Sequence, residues 1–457
     1  MKLRLPPNAL PPLKLTPNEK RWLADEASAV VAETRRIEEQ FFADNGTLER
    51  REWKNVKSRS DFMVFKERRP RRPGNSSGLT STRSNFTSSS SMGSSTDSFD
   101  LDSNHEGSVS SMSNEDDSIV ALMKDPKLPM IIATGEIDGL LEDCVYGSYG
   151  GDEFAWRQRT AYLKDKFADS KILARVKVPT HEDPFQQVIV KWFTQEMPAL
   201  MGSFVQHRDF VVVEANGCVT EVNGTTFGYY LVHSVKLPGV NDLSELNILR
   251  SKTSFCFITR QTAPTKVHVF VRGFADPRGE MSETVAVAVA VESISSFMNT
   301  IEGANSKKLT WLMERKHQAR LMQENRTYTS LPKTRECQSC GKTPNWLTGA
   351  ALSMCQVCVK VICSKCTNHR RLLVSVSKEG VPNEVPLAFC FQCLLDAKNL
   401  PARKVALAET GLLHRTPAAP AAAPPPPVVK QASSKPTSSK PASSKDSEPA
   451  KPGIILY

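Results

Sequence analysis

The stretch from Lys266 to Met298, KVHVFVRGFADPRGEMSETVAVAVAVESISSFM, decides the fold. Its beginning alternates apolar and polar residues and predicts a strand from Lys266 to Arg272. Asp276-Pro-Arg-Gly279 follows as a turn, in which proline presets one φ and glycine is free to adopt a positive φ. The segment from Ser282 to Met298 is ambiguous, because its valines alternate as in a strand whereas the alanines between them are helix formers.

Upstream of this stretch, strand candidates succeed one another with turn residues between them, which favours an antiparallel meander. They are Ile172–Val178, Gln187–Phe193, Asp209–Glu214, Tyr229–Lys236 and Phe255–Thr259. Before them, Thr16-Pro-Asn-Glu19 predicts a capping box that begins a long helix, and Asn45-Gly46 ends it. A further helix is predicted from about Ser306 to Gln323. The fold class is therefore α+β, an antiparallel sheet with long helices before and after it.

Eight of the 11 cysteines lie between Cys337 and Cys393, in four C-x₂-C pairs separated by 14, 4 and 23 residues. Such clustering favours metal over disulfides, and four pairs make two complete, closed Cys₄ sites for structural zinc. Because only four residues separate the second and third pairs, we expect an interleaved cross-brace. The first site is then Cys337, Cys340, Cys363 and Cys366, and the second is Cys355, Cys358, Cys390 and Cys393.

The cysteine spacing, together with Cys358-Val-Lys-Val-Ile-Cys363-Ser-Lys-Cys366, resembles the FYVE-type zinc finger over about Lys333 to Lys398. The resemblance implies binding of phosphatidylinositol 3-phosphate on endosomal membranes. Ala351-Leu-Ser-Met354 stands where that family has an Arg/His-rich run, so this finger is divergent. We expect either a looser contact with anionic lipid or charges that only solvate the finger. The residues for a membrane contact are Lys360, Lys365, His369, Arg370 and Arg371.

Three short motifs, in the right order, resemble START (steroidogenic-acute-regulatory-related lipid transfer) domains from about Leu13 to Arg315. They are Gly135-Glu-Ile-Asp-Gly-Leu-Leu-Glu142, Arg208-Asp-Phe-Val211 and Asp276-Pro-Arg-Gly279. The resemblance implies a helix-grip fold in which Ser282 to Met298 is a helix that closes the sheet. Its small residues Ala286, Ala288 and Ala290 could leave an apolar cavity, or allow tight packing with no cavity; the sequence does not decide between the two.

The predicted order of domains follows from composition. The START-like domain covers 13–73 and 119–315, and a Ser-rich, acidic, disordered insertion covers 74–118. A helical or loop linker covers 316–332, the FYVE-like finger 333–400, and a disordered Pro/Ser/Lys-rich tail 409–457. Prolines interrupt Met1 to Leu15, so we expect no export signal, and the apolar run Val285–Val291 is too short to span a bilayer.

We expect structural roles for several polar side chains and cysteines outside the finger. We expect an Arg208–Asp209 ion pair, and we expect His233 and His268 to be hydrogen-bonded residues of the sheet. The remaining cysteines, Cys144, Cys218 and Cys256, are expected to be buried small apolar residues.

No nucleotide-binding loop, dinucleotide fingerprint or nucleophile elbow is present, so we predict no enzyme. The net charge is +10, but the basic residues are dispersed without aromatic partners, so we expect no nucleic acid. We predict a non-enzymatic, zinc- and lipid-binding adaptor that is cytoplasmic and peripheral on endosomal or other membranes. Protein partners would bind the finger and the Pro-rich tail. The alternative is a protein-interaction scaffold with no lipid cavity and no phosphoinositide binding.

Overall fold

The computed structural model describes residues 5, 9–59, 61–68, 118–165, 167–195, 206–324, 334–343, 352–377 and 381–413. The predicted insertion over 74–118 lies outside the described residues except for Ser118. The predicted tail over 409–457 lies outside them beyond residue 413, as does much of the linker over 316–332.

One ten-stranded sheet forms the body, in the order β1-β2-β3-β10-β9-β7-β6-β5-β4, and all neighbours along this path are antiparallel. The short β8 pairs with β6 in parallel. The strands are β1 Trp53–Arg59, β2 Phe62–Glu67, β3 Ile131–Asp138, β4 Phe167–Lys177, β5 Gln187–Gln195, β6 His207–Thr220, β7 Thr226–Ser234, β8 Ile248–Arg250, β9 Lys252–Ala263 and β10 Lys266–Asp276.

Eight helices flank the described strands: α1 Pro17–Ala43, α2 Ile119–Met123, α3 Leu141–Ser148, α4 Glu153–Leu163, α5 Glu283–Ser296, α6 Thr300–Glu324, α7 Phe391–Asn399 and α8 Ala402–Glu409. The predicted capping box begins α1: Thr16 Oγ1 accepts from the Glu19 N–H at 3.3 Å, and Glu19 Oε2 accepts from the Thr16 N–H at 2.7 Å. The α+β helix-grip prediction is confirmed.

The sheet has a separate apolar core on each face, because successive side chains of a strand point to opposite sides. On β9, Cys256 and Ile258 face the core under α1, whereas Phe255 and Phe257 face the core under α5. Residues of α3 and α8 are also buried in the core under α5. The large helices therefore enclose the sheet from both sides.

The ambiguous segment from Ser282 to Met298 is helical, as the START resemblance implied. Ser282 is the N-cap of α5, and its Oγ accepts from the Val285 N–H at 3.4 Å. Of the three alanines named from the sequence, Ala286 and Ala290 are buried, whereas Ala288 is exposed. A 3₁₀ turn, Phe297–Asn299, joins α5 to α6.

The helical stretch Glu283–Arg320 is long and apolar enough, by length and composition alone, to cross a membrane. However, 44% of the most apolar 18 residues of this stretch is buried in the protein. Five residues of α5 supply the buried face: Ala286, Val287, Ala290, Val291 and Ile294. Packing against the sheet therefore accounts for the apolar composition of α5.

A small module follows α6 and consists of two hairpins and α7. Its strands are β11 Ser353–Met354, β12 Val361–Ile362, β13 Thr367–Val376 and β14 Pro382–Cys390, with β11 antiparallel to β12 and β13 antiparallel to β14. After α7 the chain returns to the body, where Ala402, Val405 and Ala406 of α8 are buried in the core under α5. This module is the segment predicted as the finger, and it lies between two elements of the body, α6 and α8.

Candidate metal centres and apolar cavity

The eight paired cysteines form two groups, in each of which all four Sγ atoms lie within 4.8 Å of one another. One group is Cys337, Cys340, Cys363 and Cys366, and the other is Cys355, Cys358, Cys390 and Cys393. The first pair is thus grouped with the third and the second with the fourth, which is the interleaved arrangement expected from the spacing.

The sulfur geometry fits zinc. Tetrahedral Zn–S bonds of about 2.3 Å place neighbouring sulfurs about 3.8 Å apart. The Sγ atoms of Cys340 and Cys363 are 3.8 Å apart in one group, and those of Cys358 and Cys390 are 3.8 Å apart in the other. Four thiolates complete a tetrahedral shell, so neither group would leave a position for a reacting water.

Each group begins with the same turn, at residues 337–342 and 355–360. In both, the N–H of the first cysteine donates to the carbonyl of the sixth residue at 3.0 Å. The N–H of the fifth residue donates back to the carbonyl of the first cysteine, at 2.7 Å and 2.9 Å respectively. That fifth residue is left-handed in both turns: Gly341 has φ 69° and Val359 has φ 56°.

Local hydrogen bonds favour the thiolate form of Cys355, which belongs to the second group of cysteines. A side-chain hydrogen bond from Cys393, and backbone N–H groups that include that of Cys390, lower the pKa of Cys355 to about 4 although burial opposes this. The Cys390 N–H lies 3.4 Å from Cys355 Sγ. Such N–H···S contacts orient a metal ligand and stabilise its charge.

The finger shares a core with α6. Leu309 is buried with five of the cysteines, and Leu312 and Met313 pack against the same cluster. Two hydrogen bonds join the finger to the body, one to α4 and one to α6. Tyr162 Oη accepts from the Leu373 N–H at 3.1 Å, and Arg320 Nη2 donates to the Val357 carbonyl at 2.8 Å.

The residues predicted to contact a membrane are all exposed, but they have different surroundings: Lys360, Lys365, His369, Arg370 and Arg371. Arg370 Nη1 lies 2.9 Å from Glu302 Oε1 of α6, so this arginine faces the body. Arg371 Nε lies 3.5 Å from Glu384 Oε2 on β14. A cavity of about 280 Å³ lies beside Arg370, between α6 and α7.

No pattern in the sequence predicts the polar contacts that fix α8 and the end of α7. Lys308 Nζ is fully buried and donates to Asp143 Oδ1 at 2.9 Å and to the carbonyls of Lys398 and Leu400 at 2.7 and 3.2 Å. Its neighbour Lys307 donates to two carbonyls of the α3 region, and burial lowers the pKa of Lys307 to about 7.

A cavity of about 110 Å³ lies between the sheet and α5. Val289, Ala290 and Ile294 of α5 form one wall, and aromatic side chains from the strands and the turn after α5 form much of the rest. The helix predicted to close the sheet therefore does leave an apolar space, at the end of the sheet near the start of α6.

One charged pair lines this cavity. Arg159 Nη1 of α4 lies 3.0 Å from Asp165 Oδ2, and both side chains are almost completely buried. The guanidinium also lies over the Tyr230 ring, 4.7 Å from its centroid. Ser296 Oγ donates to the other oxygen of Asp165, Oδ1. Among the described residues, Arg159 Nε has no hydrogen-bond partner.

A second buried charged pair lies next to the cavity, on the two neighbouring strands β5 and β6. Lys191 Nζ donates to Glu214 Oε1 at 2.8 Å, and Tyr230 Oη donates to Glu214 Oε2 at 3.0 Å. Burial lowers the pKa of Lys191 to about 8, against the opposing effect of Glu214. These groups satisfy one another, which is typical of a structural network.

The expected Arg208–Asp209 ion pair is wrong. Adjacent residues of a strand point to opposite faces, so the two side chains diverge. Asp209 instead accepts two hydrogen bonds of 2.9 Å from Arg250 and one of 2.8 Å from Trp192 Nε1. Arg208 donates to carbonyls of the turn after β10, including Pro277 at 2.7 Å.

The histidines and unpaired cysteines of the sheet have the surroundings expected of them. His233 Nδ1 lies 2.8 Å from Ser254 Oγ, and His268 Nε2 lies 2.8 Å from Thr134 Oγ1. Cys144 and Cys256 are buried and Cys218 is partly buried, and burial raises the pKa of all three thiols. Raised thiol pKa values are typical of unreactive cysteines.

No protein-family model matches this chain, and no curated protein matches it. Solved structures of START-type proteins align with it at low similarity. Human STARD10 has 11% identity and a TM-score of 0.35, covering 63% of this chain and 87% of that chain. Human StAR-related lipid transfer protein 5 has 12% identity and a TM-score of 0.34, covering 61% and 97%. A StAR-related lipid transfer protein from Xanthomonas axonopodis has 14% identity and a TM-score of 0.30, covering 55% and 96%.

Proposed function

We propose that this chain is a non-enzymatic adaptor whose START-like body holds a hydrophobic ligand and whose FYVE-like, two-zinc finger contacts a membrane or a protein. The observation that carries the first part is the apolar cavity closed by α5. The finger packs against α6, which follows α5 after one 3₁₀ turn, so the proposed ligand site and contact surface are joined by consecutive helices.

The ligand is tested by organic extraction of the purified full-length chain followed by mass spectrometry. We expect a stoichiometric apolar compound that is absent from a chain carrying Ala290→Phe, which fills the cavity. Ala288→Phe is the matched control, because Ala288 is exposed on the same helix. A wild-type chain that yields no compound, and that takes up none of the apolar probes offered to it, contradicts this part of the proposal.

The zinc ions would be structural. When bound, each would link four cysteines and contribute folding energy on the order of 10–16 kcal/mol to a segment with a small core. Metal analysis should return two zincs per chain, and Cys363→Ser should reduce this to about one. Cys218→Ser, outside both groups, should leave the content unchanged.

A membrane contact would use the exposed Lys360 and Lys365, because Arg370 and Arg371 already face carboxylates. The peripheral, endosomal location proposed from the FYVE resemblance depends on this contact. Lys360→Glu with Lys365→Glu should reduce flotation with vesicles that contain anionic lipid. Lys14→Glu with Lys20→Glu makes the same change of charge on exposed residues of the body and should not. Equal flotation of the two variants would mean that the finger lysines are only solvated.

The second candidate function is a protein-interaction scaffold. The size of the cavity favours it, since about 110 Å³ is smaller than the roughly 300–1,000 Å³ of ordinary ligand pockets. The scaffold would be favoured by two results together. The Ala290→Phe chain would capture a protein partner as efficiently as the wild type, and the wild-type cavity would be empty.

A further inference from the structure

The wall of the cavity under α5 is dominated by aromatic rings: Phe167, Phe193, Phe210, Tyr230, Phe255, Phe257 and Phe297. Three pairs within this set are stacked. Phe193 and Phe210 have centroids 5.0 Å apart with an interplanar angle of 16°, Phe257 and Phe297 have centroids 4.3 Å apart at 24°, and Tyr230 and Phe297 have centroids 5.9 Å apart at 25°. Ring faces and edges favour aromatic partners over saturated chains, because aromatic pairs gain stabilisation beyond the apolar area that they bury.

The volume restricts what can enter. An engineered apolar cavity of about 150 Å³ in another protein holds one benzene molecule. At about 110 Å³, this cavity holds a ring-sized group and excludes a lipid with two acyl chains. Ser293 is exposed and Val289 is half-buried, and both line the cavity, so it opens to solvent beside α5 and a second fused ring would extend into that opening.

One polar group in the wall needs a partner. Arg159 is 4% exposed, and its Nε has no hydrogen-bond partner among the described residues. A buried donor left without an acceptor is destabilising, because the hydrogen bond that it made to water is lost and not replaced. Asp165 is close enough to offset the charge of Arg159, so a neutral acceptor on the ligand is sufficient and a carboxylate is not required.

We propose that the cavity selects a small planar aromatic compound, of one or two fused rings, whose single polar group accepts a hydrogen bond from Arg159. This inference rests on the proposed function, in that the cavity must bind an apolar ligand at all. It departs from the expectation of a membrane lipid as the bound molecule and leaves lipid contact to the finger.

The test uses the full-length, zinc-loaded chain and two matched probes, 2-naphthol and naphthalene, with binding measured by saturation-transfer NMR and calorimetry. We expect 2-naphthol to bind about tenfold more tightly than naphthalene, because a hydrogen bond to a charged group contributes roughly that factor. Arg159→Met keeps the length and removes the donor, so the ratio should fall to about one. Ala290→Phe should abolish binding of both probes, and Ala288→Phe should not.

A fluorescent long-chain fatty acid serves as the third probe and separates the two proposals. If it binds and both naphthalene probes do not, the aromatic selectivity is overturned while the hydrophobic-ligand function stands. If none of the three binds, the proposed ligand function itself fails. Equal affinities for 2-naphthol and naphthalene in the wild type would overturn the role of Arg159. The comparison of 2-naphthol with naphthalene on the wild-type chain needs no variant, so the test stays decisive if Arg159→Met or Ala290→Phe does not fold.

Discussion

Arg208 Nε donates a hydrogen bond of 2.7 Å to the carbonyl oxygen of Pro277. The same guanidinium donates to the carbonyls of Gln206 at 2.8 Å and Arg278 at 3.3 Å. Arg208 lies on β6. Two of the three carbonyls, those of Pro277 and Arg278, belong to the turn that leads into α5. Two of the three short motifs that carry the START resemblance are therefore in contact, and this contact helps to position the helix over the cavity.

Replacing Arg208 with lysine should destabilise the body by about 2 kcal/mol, because an ammonium cannot reproduce a planar fork that reaches three carbonyls. The free energy of unfolding in urea measures this. Arg371→Lys is the control, since the Arg371 side chain is 65% exposed, and it should change stability by less than about 0.5 kcal/mol. Equal effects of the two changes would show that Arg208 does not hold the turn.

Lys308 gives the second prediction. Its ammonium joins α6 to Asp143 of α3 and to the backbone at the end of α7 and just after it. Lys308→Met leaves the buried Asp143 without its cation and should cost about 3–5 kcal/mol of unfolding free energy.

Adding Asp143→Asn to Lys308→Met should recover part of that loss, which a double-mutant cycle in urea would measure. Lys316→Met is the matched control on an exposed position of the same helix. Additive losses in the cycle would contradict a direct Lys308–Asp143 interaction.

Local patterns were sufficient to predict much of this fold. The capping box at Thr16, the alternation along the strands and the cysteine spacing each depend on residues near one another in sequence. Ser282 illustrates the limit of such patterns. The valine alternation after it fits a strand as well as a helix, and the START resemblance was needed to decide.

Features set by distant parts of the chain were not predicted. No local pattern distinguishes the buried Lys307 and Lys308 from the exposed lysines and arginines later in α6, because their partners lie in α3 and beyond α7. The burial of α8 in the core of the body is equally non-local. The size of the cavity depends on how several rings from different strands pack, which spacing alone does not specify.

The left-handed residue in the two cysteine turns gives a third prediction. Val359 has φ 56°, a conformation that is costly for a β-branched residue, whereas Gly341 occupies the same position in the other turn at φ 69°. Val359→Gly should stabilise the zinc-loaded chain by about 1 kcal/mol, because it relieves the strain of the left-handed backbone.

Gly341→Val is the reciprocal change and should destabilise by a similar amount. A Cβ at Gly341 would meet no atom within 4 Å, so this variant reports the backbone cost without a steric clash. Resistance of the bound zinc to a competing chelator measures both variants. A loss of zinc retention in Val359→Gly would show that the valine side chain contributes more than its conformation costs.

His268 makes stability depend on acid pH. Its Nε2 lies 2.8 Å from Thr134 Oγ1, its ring packs against Phe42, and Glu136 and Arg260 are its cross-strand neighbours. Burial lowers the pKa of His268 from 6.5 to about 4. The imidazole is therefore neutral in the folded chain throughout the physiological range.

Because the pKa is higher in the unfolded chain, the unfolded state binds more protons between pH 6.5 and 4. The stability that neutral His268 contributes is fully present above pH 6.5 and is lost as the pH falls towards 4, by about 3 kcal/mol. His268→Gln should flatten this part of the profile in urea unfolding between pH 7.5 and 4, whereas His317→Gln, exposed on α6, should not. An unchanged slope in His268→Gln would assign the acid sensitivity to other groups.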